Sequence, residues 1–287
     1  MKFLIIGGSR FVGPLVVFQL VERGHEITLF NRGRVESNYN KKIKFIQGDR
    51  KEGFNIKDHF DVIIDTCAYR GIHVEDVINK LSFDYYLYFG TAASYKKSEI
   101  FPLTENSALG DWPAWGSYNK GKVECEEVLR KSGINYSVIR PVYILGKNNY
   151  VDREKFIYLK IKNKIPIILP GNGNAKIQFV FSEDVANSIV LLAENKIEGN
   201  FNCCGNEVVT LRELVEVMGK IVGVKPVIKF NPDTDGENHN EGEFPFANED
   251  FYCTNDKLKK LGIKFIPLIE GLKRDYENYY KKIIWFF

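Results

Sequence analysis

Tyr118 and Lys122 stand four residues apart at the start of an amphipathic segment. In a helix, residues at that spacing share a face, so both side chains can turn into one cleft. A tyrosine with its ordinary pKa near ~10 is a poor acid or base at neutral pH. A lysine ammonium beside it favours the phenolate and lowers that pKa. The pair therefore suits general acid–base work in alcohol–ketone interconversion, provided that a hydride carrier sits alongside. Thr91, in FGTAASY, is placed to hydrogen-bond the substrate oxygen together with Tyr118. The YxxxK spacing says little alone in a chain with 15 tyrosines. Position gives it force, because active-site groups of open α/β sheets collect at the carboxyl ends of strands.

A seat for the carrier is legible at the amino end. Residues 2–7, KFLIIG, read as a strand buried on both faces. They run into GGSRFVG at residues 7–13, and residues 11–23 then carry apolar side chains at helical spacing up to Gly24. Such a turn lets backbone N–H groups approach a pyrophosphate, and the helix amino terminus adds a favourable partial charge. An ATP-binding reading fails: Gly8 and Gly13 have the GxxxxG spacing, but Pro14-Leu15 follows where Lys-Ser/Thr is required. The dinucleotide reading fits Gly7-x-x-Arg10-x-x-Gly13, with arginine replacing the middle glycine. The second strand ends in Asn31-Arg32-Gly33-Arg34, not in the acidic residue usual in NAD binders. Asn31 does not repel a 2′-phosphate, and Arg32, joined by Arg10, can pair with one. NADP is therefore expected, with NAD as the alternative.

These residues need a scaffold. Strands are expected at residues 26–30, 44–47, 61–65, 85–90 and 136–140, alternating with helices at 72–81 and 120–130, the latter starting a few residues earlier and closed by Gly133. Alternation of this kind predicts an α/β, doubly wound parallel sheet of Rossmann type. Beyond Gly146 the rhythm loosens into a smaller, interwoven carboxy-terminal lobe. Helices are expected at 153–163, at 182–194 with Ser182 as N-cap, at 210–222 with a Thr210/Glu213 capping box, and at 256–261 and 268–281. Residues 201–203 read as a short strand, 170–174 as a turn, and the polar stretch 231–249 as a surface loop.

With 287 residues, 44% hydrophobic content and a net charge of +3, the chain can bury a sizeable core. No apolar run approaches the ~18 residues of a membrane span, and residues 1–7 lack a signal-peptide cleavage pattern. The five scattered cysteines favour a reducing, cytoplasmic setting. No CxxC or His/Cys cluster is present, so no metal site is expected.

Taken in order, the segments GGSRFVG (7–13), GD (48–49), FGTAASY (89–95), PLTEN (102–106), YNKGK (118–122), IRPVYILG (139–146), FVFSEDVA (179–186) and FNCCG (201–205) resemble the extended short-chain dehydrogenase/reductases, the NAD(P)-dependent epimerase/dehydratase group. Arg10 more narrowly resembles a subgroup that includes chloroplast stem-loop binding proteins and bacterial proteins called reductases or epimerases. The resemblance implies cofactor contacts at Gly7, Gly8 and Gly13 and along the backbone of Arg10, Phe11 and Val12. It puts Arg32 by the adenosine phosphate, Asp49 by the adenine and Ala68 by the nicotinamide ribose. Pro141 and Val142 would flank the nicotinamide. Thr91, Tyr118 and Lys122 would be catalytic, with Lys122 also holding ribose hydroxyls. Residues 1–145, completed by about 178–206, would form the cofactor domain, and 146–177 with 207–287 the substrate lobe. Arg153 and Lys176, with Gln178, are polar candidates there for an anionic substrate such as a nucleotide sugar. A homodimer through residues 72–81 and 117–130 is also implied. Two departures stand out: Arg10 replaces a glycine, and the fourth strand ends in DTCAY where an Ala-rich run is usual.

The expected function is oxidoreductase or epimerase chemistry on a hydroxyl or keto group of a small substrate. An RNA stem-loop binder, or an NADP-sensing regulator, on the same scaffold is the alternative. Lysine clusters at 41–44, 96–97, 160–164 and 257–260 speak for nucleic acid, and the charge of only +3 speaks against it.

Overall fold

The computed structural model describes residues 1–34, 43–234 and 242–284. Its first strand, β1 (Lys2–Ile6), sends Phe3 and Ile5 into one apolar core and Leu4 and Ile6 into another. Such alternation follows from the two-residue period of a strand, and burial on both sides is the mark of a parallel sheet covered by helices. Each side chain of this kind contributes about 2 kcal/mol of burial.

In chain order, α1 (Val12–Glu22), β2 (Glu26–Asn31), β3 (Ile43–Gln47), β4 (His59–Asp65), α2 (Gly71–Lys80), β5 (Ser82–Phe89), α3 (Gly116–Ser132) and β6 (Tyr136–Pro141) follow. The carboxy-terminal half contains β7 (Tyr143–Leu145), α4 (Arg153–Lys162), β8 (Ile167–Pro170), β9 (Lys176–Phe181), α5 (Ser182–Glu194) and β10 (Gly199–Cys203). It ends with β11 (Val208–Thr210), α6 (Leu211–Val222), β12 (Ile228–Asn231), α7 (Asp256–Lys260), α8 (Leu268–Asp275) and α9 (Lys281–Ile284). Seven parallel strands form the main sheet in the order β10-β6-β5-β4-β1-β2-β3. Apolar residues of α1 and α5 cover one face and those of α2 and α3 the other. The order reverses between β1 and β4, so the crevice outside their carboxyl ends is where a doubly wound sheet binds ligands.

Gly24 and Gly133 end α1 and α3 with φ of 80° and 71°, a left-handed turn that glycine adopts without a Cβ penalty. The Thr210/Glu213 capping box is formed. Several expectations need correction. Phe181, not Ser182, is the N-cap of α5; Ser182 is the first helical residue, and its hydroxyl donates to Glu183. The strands β7, β8, β9, β11 and β12 were not anticipated; they make two small sheets, β11-β9-β7 and β12-β8. The stretch 231–249 is not simply a surface loop, because Phe244, Phe246 and Ala247 are buried; residues 235–241 lie outside the described part. The single helix expected at 268–281 is α8 and α9 joined by a π-helical segment, Tyr276–Tyr280. No helix among the described residues is long and apolar enough to cross a membrane.

Candidate active site

At the end of β1 the chain turns back through Gly7 and Gly8, with φ of 96° and 73°. A Cβ on Gly7 would lie 2.3 Å from Thr66 Oγ1, and one on Gly13 2.5 Å from the Gly8 backbone. Both glycines are therefore fixed by close approach. Thr66, just after β4, laces the two strand ends: its hydroxyl donates to Ile6 O at 3.0 Å and accepts from Gly8 N at 3.1 Å. Phe11, the residue before α1, has φ 50° and ψ −104°, a conformation that costs a non-glycine residue about 1–3 kcal/mol. Its ring packs edge-on to Tyr150, centroids 6.3 Å apart. The first-turn N–H groups of α1 have no intrahelical acceptor, so this end of the helix is suited to a phosphate.

The Asn31 side chain donates to Gly7 O at 3.2 Å and accepts from Gly33 N at 2.9 Å. An aspartate could not make the first bond, so the missing acid at this position has a structural reason as well as an electrostatic one. Arg10, Arg32 and Arg34 are exposed around the turn. Asp49 accepts from Lys51 N and starts the short helical turn at Arg50–Glu52. Beside it, Arg50 forms a bidentate pair with buried Asp65, at 2.9 and 3.0 Å. Burial alone would raise the Asp65 pKa, but Arg50 and the hydrogen bonds from Cys67 N and Tyr86 hold it below the usual range.

Across the crevice, Thr91, Tyr118 and Lys122 come together. Thr91 follows β5 and accepts from Ala93 N at 3.2 Å. Its hydroxyl lies close enough to the Tyr118 phenol to favour the phenolate. Asn119 fixes the start of α3 by donating to Ala93 O at 2.6 Å and Gly110 O at 2.8 Å. Tyr118 is 44% exposed, as a group that must meet substrate should be. Desolvation holds the phenol above its ordinary pKa, against the lowering effects of Thr91 and of the Arg153 charge. Lys122 is buried; its Nζ donates to Phe89 O at 2.9 Å and lies 4.9 Å from the ring centroids of Tyr69 and Tyr88 and 5.8 Å from that of Tyr118. Burial lowers its pKa to about 8.

Pro141 ends β6 and Val142 follows it; both are buried, with Val142 N donating to Cys203 O at 3.2 Å. Ala68 has no exposed surface, and its carbonyl accepts from the Tyr88 hydroxyl; the half-exposed Tyr69 next to it faces Tyr118, centroids 6.4 Å apart. Arg153 lies over Tyr143 and Phe246, and its charge reaches Tyr118 and Tyr150. Lys176 is not brought beside it: it pairs with Thr210 on β11, three strand positions from Phe179, which pairs with Tyr143. That offset is about 10 Å along a strand. Gln178 is structural, donating to Gly205 O and accepting from Cys253 N.

Tyr69, Tyr150, Gly121 and Asn119 complete the site without having been singled out. Tyr69 left a signal as part of the aberrant DTCAY, and Asn119 and Gly121 as part of YNKGK. The lysine clusters are partly engaged: Lys44 pairs with Asp58, Lys97 with Glu249, and Lys257 donates to Asn200 O. Lys41 and Lys42 lie outside the described residues. Among the described residues no group of three His, Cys, Asp or Glu side chains could hold a metal ion.

Residues 72–204 match the model of the NAD dependent epimerase/dehydratase family. The chain is 31% identical over 300 residues to the chloroplast stem-loop binding protein of 41 kDa b from Arabidopsis thaliana, covering 96% of this chain and 78% of that protein. It is 23% identical to UDP-glucuronic acid decarboxylase 1 of the same plant, over 83% of this chain and 62% of that one. Among solved structures, UDP-glucuronic acid 4-epimerase from Bacillus cereus, in complex with NAD, superposes with a TM-score of 0.79 at 16% identity, covering 99% of this chain and all (100%) of that one. UDP-glucose 4-epimerase from Thermotoga maritima gives 0.75 at 18% identity, with 99% and 100% covered. At such identities the structural likeness speaks for the Rossmann fold. Together with the relative at 31% identity and the family match, it leads to one assignment: the chain belongs to the NAD-dependent epimerase/dehydratase family of enzymes.

Proposed function

We propose that the protein is a nicotinamide-dependent oxidoreductase or epimerase that acts on a hydroxyl or keto group of a small substrate of the sugar-nucleotide type. One observation carries this reading: Thr91, Tyr118 and Lys122 meet opposite the glycine turn, across the crevice where the strand order reverses. The donor set suits a dinucleotide. The amino end of α1 and the exposed Arg10 and Arg32 offer positive charge to phosphates, and Lys122 offers an ammonium to ribose hydroxyls. When bound, the nicotinamide supplies the hydride acceptor or donor.

The chain's own residues would then do the following. Thr91 orients the substrate oxygen. Tyr118 takes the hydroxyl proton or returns it, and the Arg153 cation favours the phenolate form. Residues 1–145 with about 178–206 hold the cofactor, and 146–177 with 207–287 the substrate. NADP is the preferred cofactor, on the charges of Arg10 and Arg32. The relatives' names support the substrate class, since those proteins are called after UDP-sugars.

A homodimer through α2 and α3 is part of the proposal. Ile72 on α2 is 54% exposed, beside a groove between the helices lined by Glu75, Ile78, Glu124 and Val128. Light scattering at twice the chain mass is expected. The function is tested by following nicotinamide absorbance with a panel of UDP-sugars and ketones. Tyr118→Phe should lower turnover by about 10²-fold or more with cofactor affinity unchanged; undiminished turnover overturns the assignment.

A further inference from the structure

The Lys122 ammonium is boxed in. The residue is 2% exposed, and among the described residues its Nζ donates to one acceptor, Phe89 O at 2.9 Å. An ammonium has three N–H donors. Against the others lie the rings of Tyr69 and Tyr88, each with its centroid 4.9 Å from Nζ. Aromatic faces attract a cation but replace a hydrogen-bond acceptor poorly. A ribose hydroxyl can therefore reach Nζ only if one of the two rings gives way.

The rings are not alike. Tyr88, on β5, has no exposed surface, and its hydroxyl donates to Ala68 O at 3.4 Å; moving it would open the core. Tyr69 is 47% exposed, and its hydroxyl makes no hydrogen bond among the described residues. What is fastened in Tyr69 is the backbone. Its N–H donates to His73 Nδ1 at 3.1 Å, and its carbonyl oxygen abuts Gly121 so closely that a Cβ there would lie 2.0 Å away. The ring can turn about its side-chain bonds while the chain that bears it stays in place. Rotation of an exposed side chain is fast, on the ps–ns scale.

We propose that Tyr69 is a positioning residue for Lys122: in the free chain its ring occupies the place at the ammonium that a cofactor ribose takes, and it turns aside as the cofactor enters. This rests on the reading of Lys122 as the group that holds ribose hydroxyls, and it states how that group is kept until the ribose arrives. One cation–π contact makes a weak cover. It leaves the uncovered form at about one molecule in ten, and the apparent cofactor affinity is reduced by that fraction. The same contact fixes the ammonium and keeps water from it. The ring belongs to DTCAY, the segment that departs from an Ala-rich run.

The test has two arms, each on the native chain, Tyr69→Ala and Tyr69→Phe. The first is the pH profile of Lys122 acetylation by acetic anhydride, read by mass spectrometry, with Lys120 of the same helix as internal reference. The native inflection is expected at about 8. Tyr69→Ala should move it at least about one unit towards 10.5, a tenfold rise in proton affinity. Tyr69→Phe keeps the aromatic face and should retain the native profile, and Tyr69→Ser stands in if the alanine variant does not fold. The second arm is NADH titration at about pH 7, where Tyr69→Ala should bind about tenfold more tightly and Tyr69→Phe as the native chain does. An unmoved inflection overturns the cover, and NADH affinity that is unchanged or lower in Tyr69→Ala overturns the displacement; either leaves cofactor binding itself standing. No NADH binding by any of the three proteins removes the hydride-transfer reading, and the displacement with it.

Discussion

The carbonyl oxygen of Tyr69 lies 2.0 Å from where a Cβ on Gly121 would be. The strand β4 exit and helix α3 are thereby brought into backbone contact, and Tyr69 and Lys122 into the same corner. Gly121→Ala must push the two apart. Overpacking of this kind costs about 1–3 kcal/mol, and it moves the rings that seat the Lys122 ammonium. Turnover is expected to fall more than stability alone explains, measured as kcat at a temperature where the variant is fully folded. Native kcat would show that the Tyr69 seat is irrelevant to the chemistry.

Lys122 gives the fold a pH signature. Burial lowers its pKa from 10.5 to about 8. Between those values the unfolded chain holds a proton that the folded chain lacks, so stability rises with pH across that window. Below about 8 the full cost of burying the ammonium is present. Relative to Lys122→Met, the native protein should therefore gain stability between about pH 7.5 and about pH 10. Urea denaturation at the two values measures it, and a constant difference would contradict the burial of the charge.

Glu154 has the opposite slope. Burial pushes its pKa from 4.5 up to about 7, against the lowering effect of the hydrogen bonds from Gly146 N and Asn149. From 4.5 to 7 the folded chain holds the extra proton, so stability falls as pH rises through that range and the loss is complete above it. Glu154→Gln should remove this slope, and its stability relative to the native chain should be higher at about pH 8 than at about pH 5. Because Glu154 fastens the segment that carries Tyr150 and Arg153, any change in slope should be accompanied by a change in KM.

Arg32→Ala addresses the cofactor. Asn31 is held by Gly7 and Gly33, so selectivity for a 2′-phosphate falls to the exposed arginines. Loss of one charge-assisted contact should weaken NADP about tenfold and NAD little. Parallel titrations of the two cofactors decide it; equal weakening contradicts the preference for NADP.

The main sheet was legible because its strands are apolar runs bounded by Gly, Pro or polar residues, as in KFLIIG and DVIID. Four of the added strands were not, because β7 and β11 have three residues each and β8 and β12 four, too few to display a period; β9, with six, was long enough and was missed. Phe244 and Phe246 were hidden by composition: two core aromatics sit in a segment otherwise polar and acidic. Of the site, the glycine turn and the Tyr118–Lys122 spacing could be read because each is local. Tyr69, Tyr150 and the Arg153–Tyr143–Phe246 stack come from segments far apart in the chain, and only the fold brings them together.

The account turns on a nicotinamide ring lying against Tyr118. A crystal structure of the chain with NADPH or NADH tests this most directly. The phosphates should lie at the amino end of α1 and the nicotinamide C4 within about 4 Å of the space between the Tyr118 hydroxyl and Thr91, the separation that near-attack geometry requires. A cofactor bound elsewhere, or a ring turned away from Tyr118, would contradict it.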